Sequence, residues 1–299
     1  MFHFDSRRVR LRSSALLALF LVSVAVGLLA EQAPPAGPPP TLVLNDLGKG
    51  SAPLNGPWQF HVGDDPSWAS PGIDDATGHN GWEQVTADKP IGLQGHANFE
   101  GYGWYRKHIS VSPAPGASPD FALWVRGIDD IYEIYWNGMP VGHLGKFPPH
   151  FVWYTQLPPQ TYGLGPIRSG VLAIKIWKGP LASNDDGTAG GFQATPVLGS
   201  PDAIATLYDA GGYRWLRGQQ FHFGLTSLYT LVALLSLIAW LRDRRQWLLF
   251  WMTIYALSPL IELLLQFMGF HISNDWLTAL VQSSIQVREV SQWFVLLWL

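Results

Sequence analysis

The stretch GIDDIYEIYWNGMPVG, residues 127–142, decides how the fold is read. Strand-forming bulk runs from Ile131 to Trp136 and stops at Asn137-Gly138. Both of these residues tolerate positive φ, so the chain can reverse there in a tight turn and return through MPVGHL as a hairpin. Within the outgoing strand, Ile131, Glu133 and Tyr135 share one face, and Tyr132, Ile134 and Trp136 the other. Neither face is polar throughout, so one of them supports a second sheet or a neighbouring loop.

The same texture extends in both directions. FALWVRGI, residues 121–128, and VLAIKIWK, residues 171–178, are rich in aromatic and β-branched residues with incomplete alternation. PAPGASP (113–119) and SNDDGTAGG (183–191) separate such runs as loops, and no sustained amphipathic helix competes between residues 42 and 200. Many short half-buried strands are accommodated by a sandwich of two antiparallel sheets, and about 160 residues suffice for its core. In WYRKHISV, residues 104–111, Trp104, Tyr105, Ile109 and Val111 supply bulk, whereas Arg106 and Lys107 are expected to reach solvent.

Three segments occur in an informative order: LNGPWQF (54–60), GYGWYRKHISV (101–111) and GIDDIYEIYWNGMPVG (127–142). Together they resemble the galactose-binding-like jelly roll that forms the sugar-binding domain of family 2 glycoside hydrolases. The series is also similar to the extracytoplasmic sensory domains of some bacterial multi-span membrane receptors. The resemblance covers roughly half the chain. It implies an all-β jelly-roll sandwich whose ligand is a carbohydrate or another small molecule. On the receptor side it implies signal transduction through an effector outside this sequence: a histidine kinase, a diguanylate cyclase or a serine/threonine phosphatase. By analogy with paired receptors it also implies a homodimer. On the hydrolase side the resembled module is an accessory domain, so no catalytic residue is expected in it; a carbohydrate-binding or carbohydrate-processing membrane protein is the alternative reading.

Candidate ligand residues are few. Asp129 and Asp130 precede the central strand, where they can orient sugar hydroxyls, coordinate a cation or bond locally in a turn. Trp82 can serve as an aromatic platform or close the sandwich edge. Asn184, Asp185 and Asp186 form an oxygen-rich loop that lacks the ordered spacing of a helix-loop-helix calcium site, although galactose-binding-like folds allow a structural calcium ion. His96 and His143 belong to no dense metal signature, and no phosphate loop, dinucleotide fingerprint or nucleophile elbow is present.

The flanks read differently from the middle. Arg7, Arg8, Arg10 and Arg12 precede the apolar run SSALLALFLVSVAVGLLA, the pattern of an export signal peptide or N-terminal anchor over residues 1–30. A proline-rich spacer, residues 31–41, leads to the β domain, residues 42–200. A juxtamembrane linker is expected over residues 201–220, followed by a membrane region, residues 221–299, with three helices. The basic loop Arg242-Asp243-Arg244-Arg245 places the first turn in the cytoplasm, so the β domain faces outward from the cytoplasmic (inner) membrane. The third apolar run extends to Leu299, from which an incomplete bundle is expected. Glu262, Arg288 and Glu289 are ionisable groups inside these spans, and Glu262 can pair with Arg288 across helices.

Composition narrows the rest. The charge of −3, from 19 basic and 22 acidic residues, supplies no concentrated basic face, so no nucleic-acid partner is expected. With no cysteine, disulfides and thiolate metal sites are excluded, and the exported domain rests on its core alone. The 15 Trp, 10 Tyr and 15 Phe suit both a ligand-reading sandwich and a lipid bilayer interface.

Overall fold

A computed structural model describes residues 38–116, 119–152, 159–180, 187–269 and 275–298. The expected signal or anchor, residues 1–30, and most of the spacer lie outside the described residues. The strands are, in order, β1 (Thr41–Asn45), β2 (Ser51–Pro53), β3 (Pro57–Val62), β4 (Glu83–Thr86), β5 (Gly101–Ser112), β6 (Asp120–Val125) and β7 (Ile128–Asp129). They continue with β8 (Ile131–Trp136), β9 (Met139–Leu144), β10 (Gln160–Pro166), β11 (Ser169–Lys178), β12 (Gly191–Phe192) and β13 (Val197–Gly199).

The larger sheet runs β4-β3-β5-β11-β8-β9, antiparallel throughout, with β1 added in parallel along the far half of β5. The smaller sheet runs β10-β6-β13-β2. The hairpin signal is realised as expected: Asn137 and Gly138 both take positive φ, 48° and 83°, between β8 and β9. The run FALWVRGI divides into β6 and β7, and β7 pairs with β12 in a small separate ribbon.

The core lies between the sheets. Trp58 and Phe60 from β3, Tyr105 and Ile109 from β5, Tyr132 and Ile134 from β8, and Leu172, Ile174 and Ile176 from β11 face Phe121, Leu123 and Val125 from β6. The alternate residues are also covered. On the outer face of the large sheet, Trp104 and Ala173 pack with Trp82 and Ala69 from the segment between β3 and β5. On the outer face of the small sheet, Ala122 and Trp124 pack on Ile204. Strands buried on both faces have no polar side, which explains the incomplete alternation.

Arg106 and Lys107 do not reach solvent; both are buried. Lys107 donates through Nζ to the carbonyls of Asn55 (2.8 Å) and Pro57 (3.0 Å), and burial pushes its ammonium pKa down to about 8. It thereby ties β5 to the turn that opens β3, where Gly56 takes a φ of 78° and Trp58 Nε1 donates to Leu54 O at 2.9 Å.

Three helices follow the sandwich: α1 (Pro201–Arg242), α2 (Trp247–Gly269) and α3 (Asp275–Trp298). Ser200 caps α1 by accepting from the Ala203 N–H at 3.3 Å, Pro201 fits the first turn, and Asp202 and Arg242 complement the helix dipole at the two ends. Residues 201–220, the expected juxtamembrane segment, are helical and form the first half of a 42-residue helix about 63 Å long. Among the described residues, two helices are long and apolar enough to cross a membrane, Pro201–Arg242 and Trp247–Met268. Leu228, Leu231, Leu234, Leu235 and Ile238 of α1 are exposed, a continuous apolar surface rather than the usual scatter. The third run forms a helix as expected, but by the same measure it is not among the two apolar enough to span. Arg288 of α3 donates to Glu262 of α2 at 2.8 Å, and Trp251 stacks on Phe294 at 4.2 Å, while Glu289 points away on the exposed side.

Candidate functional site

The acidic edge is built from the strand ends around β7. Asp130 accepts from Lys178 Nζ at 3.3 Å and from the Gly179 N–H at 2.9 Å. Asp129 accepts from the Gly190 N–H at 3.2 Å and lies 3.6 Å from the same ammonium. Burial, together with the neighbouring Asp130 carboxyl, pushes the Asp129 pKa up to about 7. One ammonium lies between the two carboxyl groups, so the pair fastens β7, β11 and the approach to β12. Of the three uses open to these aspartates, local bonding is the one this geometry displays. Among the described residues no group of three or more His, Asp or Glu side chains is gathered as a metal site. Asn184, Asp185 and Asp186 lie outside the described residues; beside them, the Gly187 carbonyl accepts from the Asn98 N–H at 2.8 Å.

Trp82 is only 2 % exposed, so its ring fills space and offers no platform. It packs edge-on against Trp68 at 5.6 Å, and the Arg106 guanidinium sits 5.7 Å from its centre. Arg106 donates through Nε to Asp75 at 2.7 Å and through Nη1 to the carbonyls of Trp68 and Ser70; His108 Nε2 reaches Asp75 at 3.0 Å. These partners hold the Asp75 carboxyl below its ordinary value although burial opposes them. The covering segment is thus pinned to the sheet by charge. Further along the same face, Lys175 pairs with Asp64 at 2.5 Å and lies 4.7 Å and 4.8 Å from the rings of Tyr102 and Phe147. The aromatic faces there are taken up by the protein's own lysine.

An open recess occurs instead at the junction of sandwich and helix. A groove of about 340 Å³ has a floor of Ala122, Thr161 and Gly163 from the small sheet and a wall of Ala205, Tyr208 and Asp209 from α1. Its floor is low because Thr161 and Gly163 take the outward positions of β10, opposite Trp124 and Ala122 of β6. Tyr208 is 43 % exposed at its rim. Sequence reading missed this place because residues 201–220 carried no motif; the signal was the Ser200-Pro201-Asp202 cap that starts α1 against the sheet.

No family model matches the chain. Over 101 residues, 30 % of this chain, it is 32 % identical to the β-galactosidase BoGH2A of Bacteroides ovatus. The match spans 11 % of that protein, so the chain answers to a small part of the relative. Similar solved structures are also family 2 glycoside hydrolases. A β-galacturonidase from Eisenbergiella tayi is 18 % identical over 51 % of this chain and 24 % of its own, with a TM-score of 0.35. A β-glucuronidase from Bacteroides uniformis is 17 % identical over 50 % and 17 %, with a TM-score of 0.39. A family 2 member from Bacteroides cellulosilyticus is 18 % identical over 50 % and 20 %, with a TM-score of 0.40.

Proposed function

We propose that this chain is a carbohydrate-binding sandwich held at the outer side of a bacterial cytoplasmic membrane by apolar helices. The observation that carries the reading is the 32 % identity to a β-galactosidase over 101 residues. Glycoside hydrolysis needs two free carboxyl groups flanking the scissile bond, and the acidic pair singled out in the sequence does not supply them. The adjacent carboxylates Asp129 and Asp130 are instead engaged by Lys178 and by backbone N–H groups. The exposed leucines of α1 support the membrane half of the proposal, since lipid is the environment that covers such a surface.

The test is a glycan array probed with the whole purified chain in detergent, run beside a chromogenic β-galactoside assay. The expected result is retention of at least one glycan with no hydrolysis. Absence of any retained glycan refutes the reading. Turnover that disappears in Asp129→Asn replaces binding with processing.

A sensory role is supported by one further feature. α1 runs without a break from the small sheet to Arg242, so a displacement at its first turns is carried along a single rigid element. Inserting an effector domain at the turn after Arg242, which the proposed orientation places in the cytoplasm, and measuring output with and without the retained glycan tests that role; unchanged output refutes it.

A further inference from the structure

Resting on the carbohydrate reading, we infer that the groove between the small sheet and the start of α1 is the saccharide site, and that it takes one or two sugar rings. Its volume of about 340 Å³ lies at the small end of ligand clefts, which run from roughly 300 to 1,000 Å³. The floor is open by composition. A Cβ placed on Gly163 meets nothing within 4 Å, and the backbone there is not left-handed, so the glycine supplies room rather than a turn. The wall supplies what a pyranose requires. The exposed ring of Tyr208 offers an apolar surface to the C–H face of the sugar, and the Asp209 carboxylate and Thr161 hydroxyl can accept from its hydroxyls.

Among the described residues, the other candidates on the sandwich considered above are engaged within the protein. Trp82 is buried, Asp130 is held by Lys178 and Gly179, and Lys175 fills the space between Tyr102 and Phe147. Position also selects a water-soluble ligand. Asp209 precedes the apolar run at Phe221 by 12 residues, about 18 Å along the helix axis. The groove therefore stands clear of the bilayer that the apolar run enters. Because one wall is sheet and the other is α1, a bound sugar bridges the two, next to the contact of Trp124 with Ile204.

Calorimetry on the whole chain in detergent, with lactose, cellobiose and glucuronate as probes, tests the site. At least one probe is expected to bind the wild type. Gly163→Phe, which fills the floor without backbone strain, is expected to weaken that probe at least about tenfold, one RT ln 10 of affinity. Asp209→Asn, a near-isosteric change on an exposed helix position, is expected to weaken it severalfold, and it keeps the test decisive where the larger side chain disturbs folding. Asp129→Asn serves as a control that leaves affinity unchanged. Unaltered affinity in both groove variants overturns the site while the carbohydrate reading stands. Failure of all three probes on the wild type also overturns the site, and the glycan array then decides the wider reading separately.

Discussion

Replacing Arg106 by leucine is expected to destabilise the sandwich by about 3–5 kcal/mol, because it leaves a buried carboxylate without its main partner. The residue is fully buried, and Asp75 is 2 % exposed. In the variant, Asp75 retains only His108, and the Trp68 and Ser70 carbonyls lose the guanidinium that Nη1 supplied. Asp75→Leu alone leaves the buried guanidinium with the Trp68 and Ser70 carbonyls but without its carboxylate partner. The double change Asp75→Leu/Arg106→Leu removes both charges, so its cost is expected to fall below the sum of the single costs by about 2–3 kcal/mol. Urea unfolding followed by tryptophan fluorescence reads the cycle. With a slope of about 2 kcal/mol per M, the single variants shift the midpoint by about 2 M. Strict additivity, with each single change costing less than about 1 kcal/mol, refutes the claim that this ion network pins the covering segment to the sheet.

Other expectations follow from single groups. Between about pH 4 and pH 7 the folded chain holds a proton on Asp129 that the unfolded chain has lost, so this group's stabilisation is complete below pH 4 and declines toward pH 7. Relative to Asp129→Asn, the wild type should lose stability across that window at up to about 1.4 kcal/mol per pH unit, read as urea midpoints at pH 5 and 7.5; parallel midpoints contradict the burial argument. Trp82→Ala is expected to cost about 3–5 kcal/mol, whereas folded Trp82→Phe should keep its glycan affinity; loss of affinity in that variant restores Trp82 as a ligand platform. The chain has no cysteine, so Asp65→Cys and Arg244→Cys can be labelled separately in intact cells, and an impermeant maleimide should reach the first and not the second. Labelling of both, or of Arg244→Cys alone, contradicts the orientation.

The strands were legible because their signals are local. Asn137-Gly138 announces a turn by backbone preference alone, and the bulk of residues 171–178 leaves few alternatives to a strand. What failed in each case depended on the partner across space. Arg106 and Lys107 look like solvent residues until Asp75 and the carbonyls of Asn55 and Pro57 are seen to receive them. Trp82 looks like a sugar platform until Trp68 and Ala69 close over it. Asp129 and Asp130 were found as a pair, but the lysine between them comes from a strand 48 residues further along the chain. The groove has no motif at all, because it is space left by small residues on two separate elements.

Binding of a fluorescent, membrane-impermeant form of the array-selected glycan to spheroplasts that express the whole chain tests the central claim most directly, since it requires both carbohydrate recognition and outward exposure. The account predicts label on expressing spheroplasts that exceeds non-expressing controls and is displaced by the unlabelled glycan. Label that appears only after the membranes are broken open, or that does not exceed the controls in either state, contradicts it.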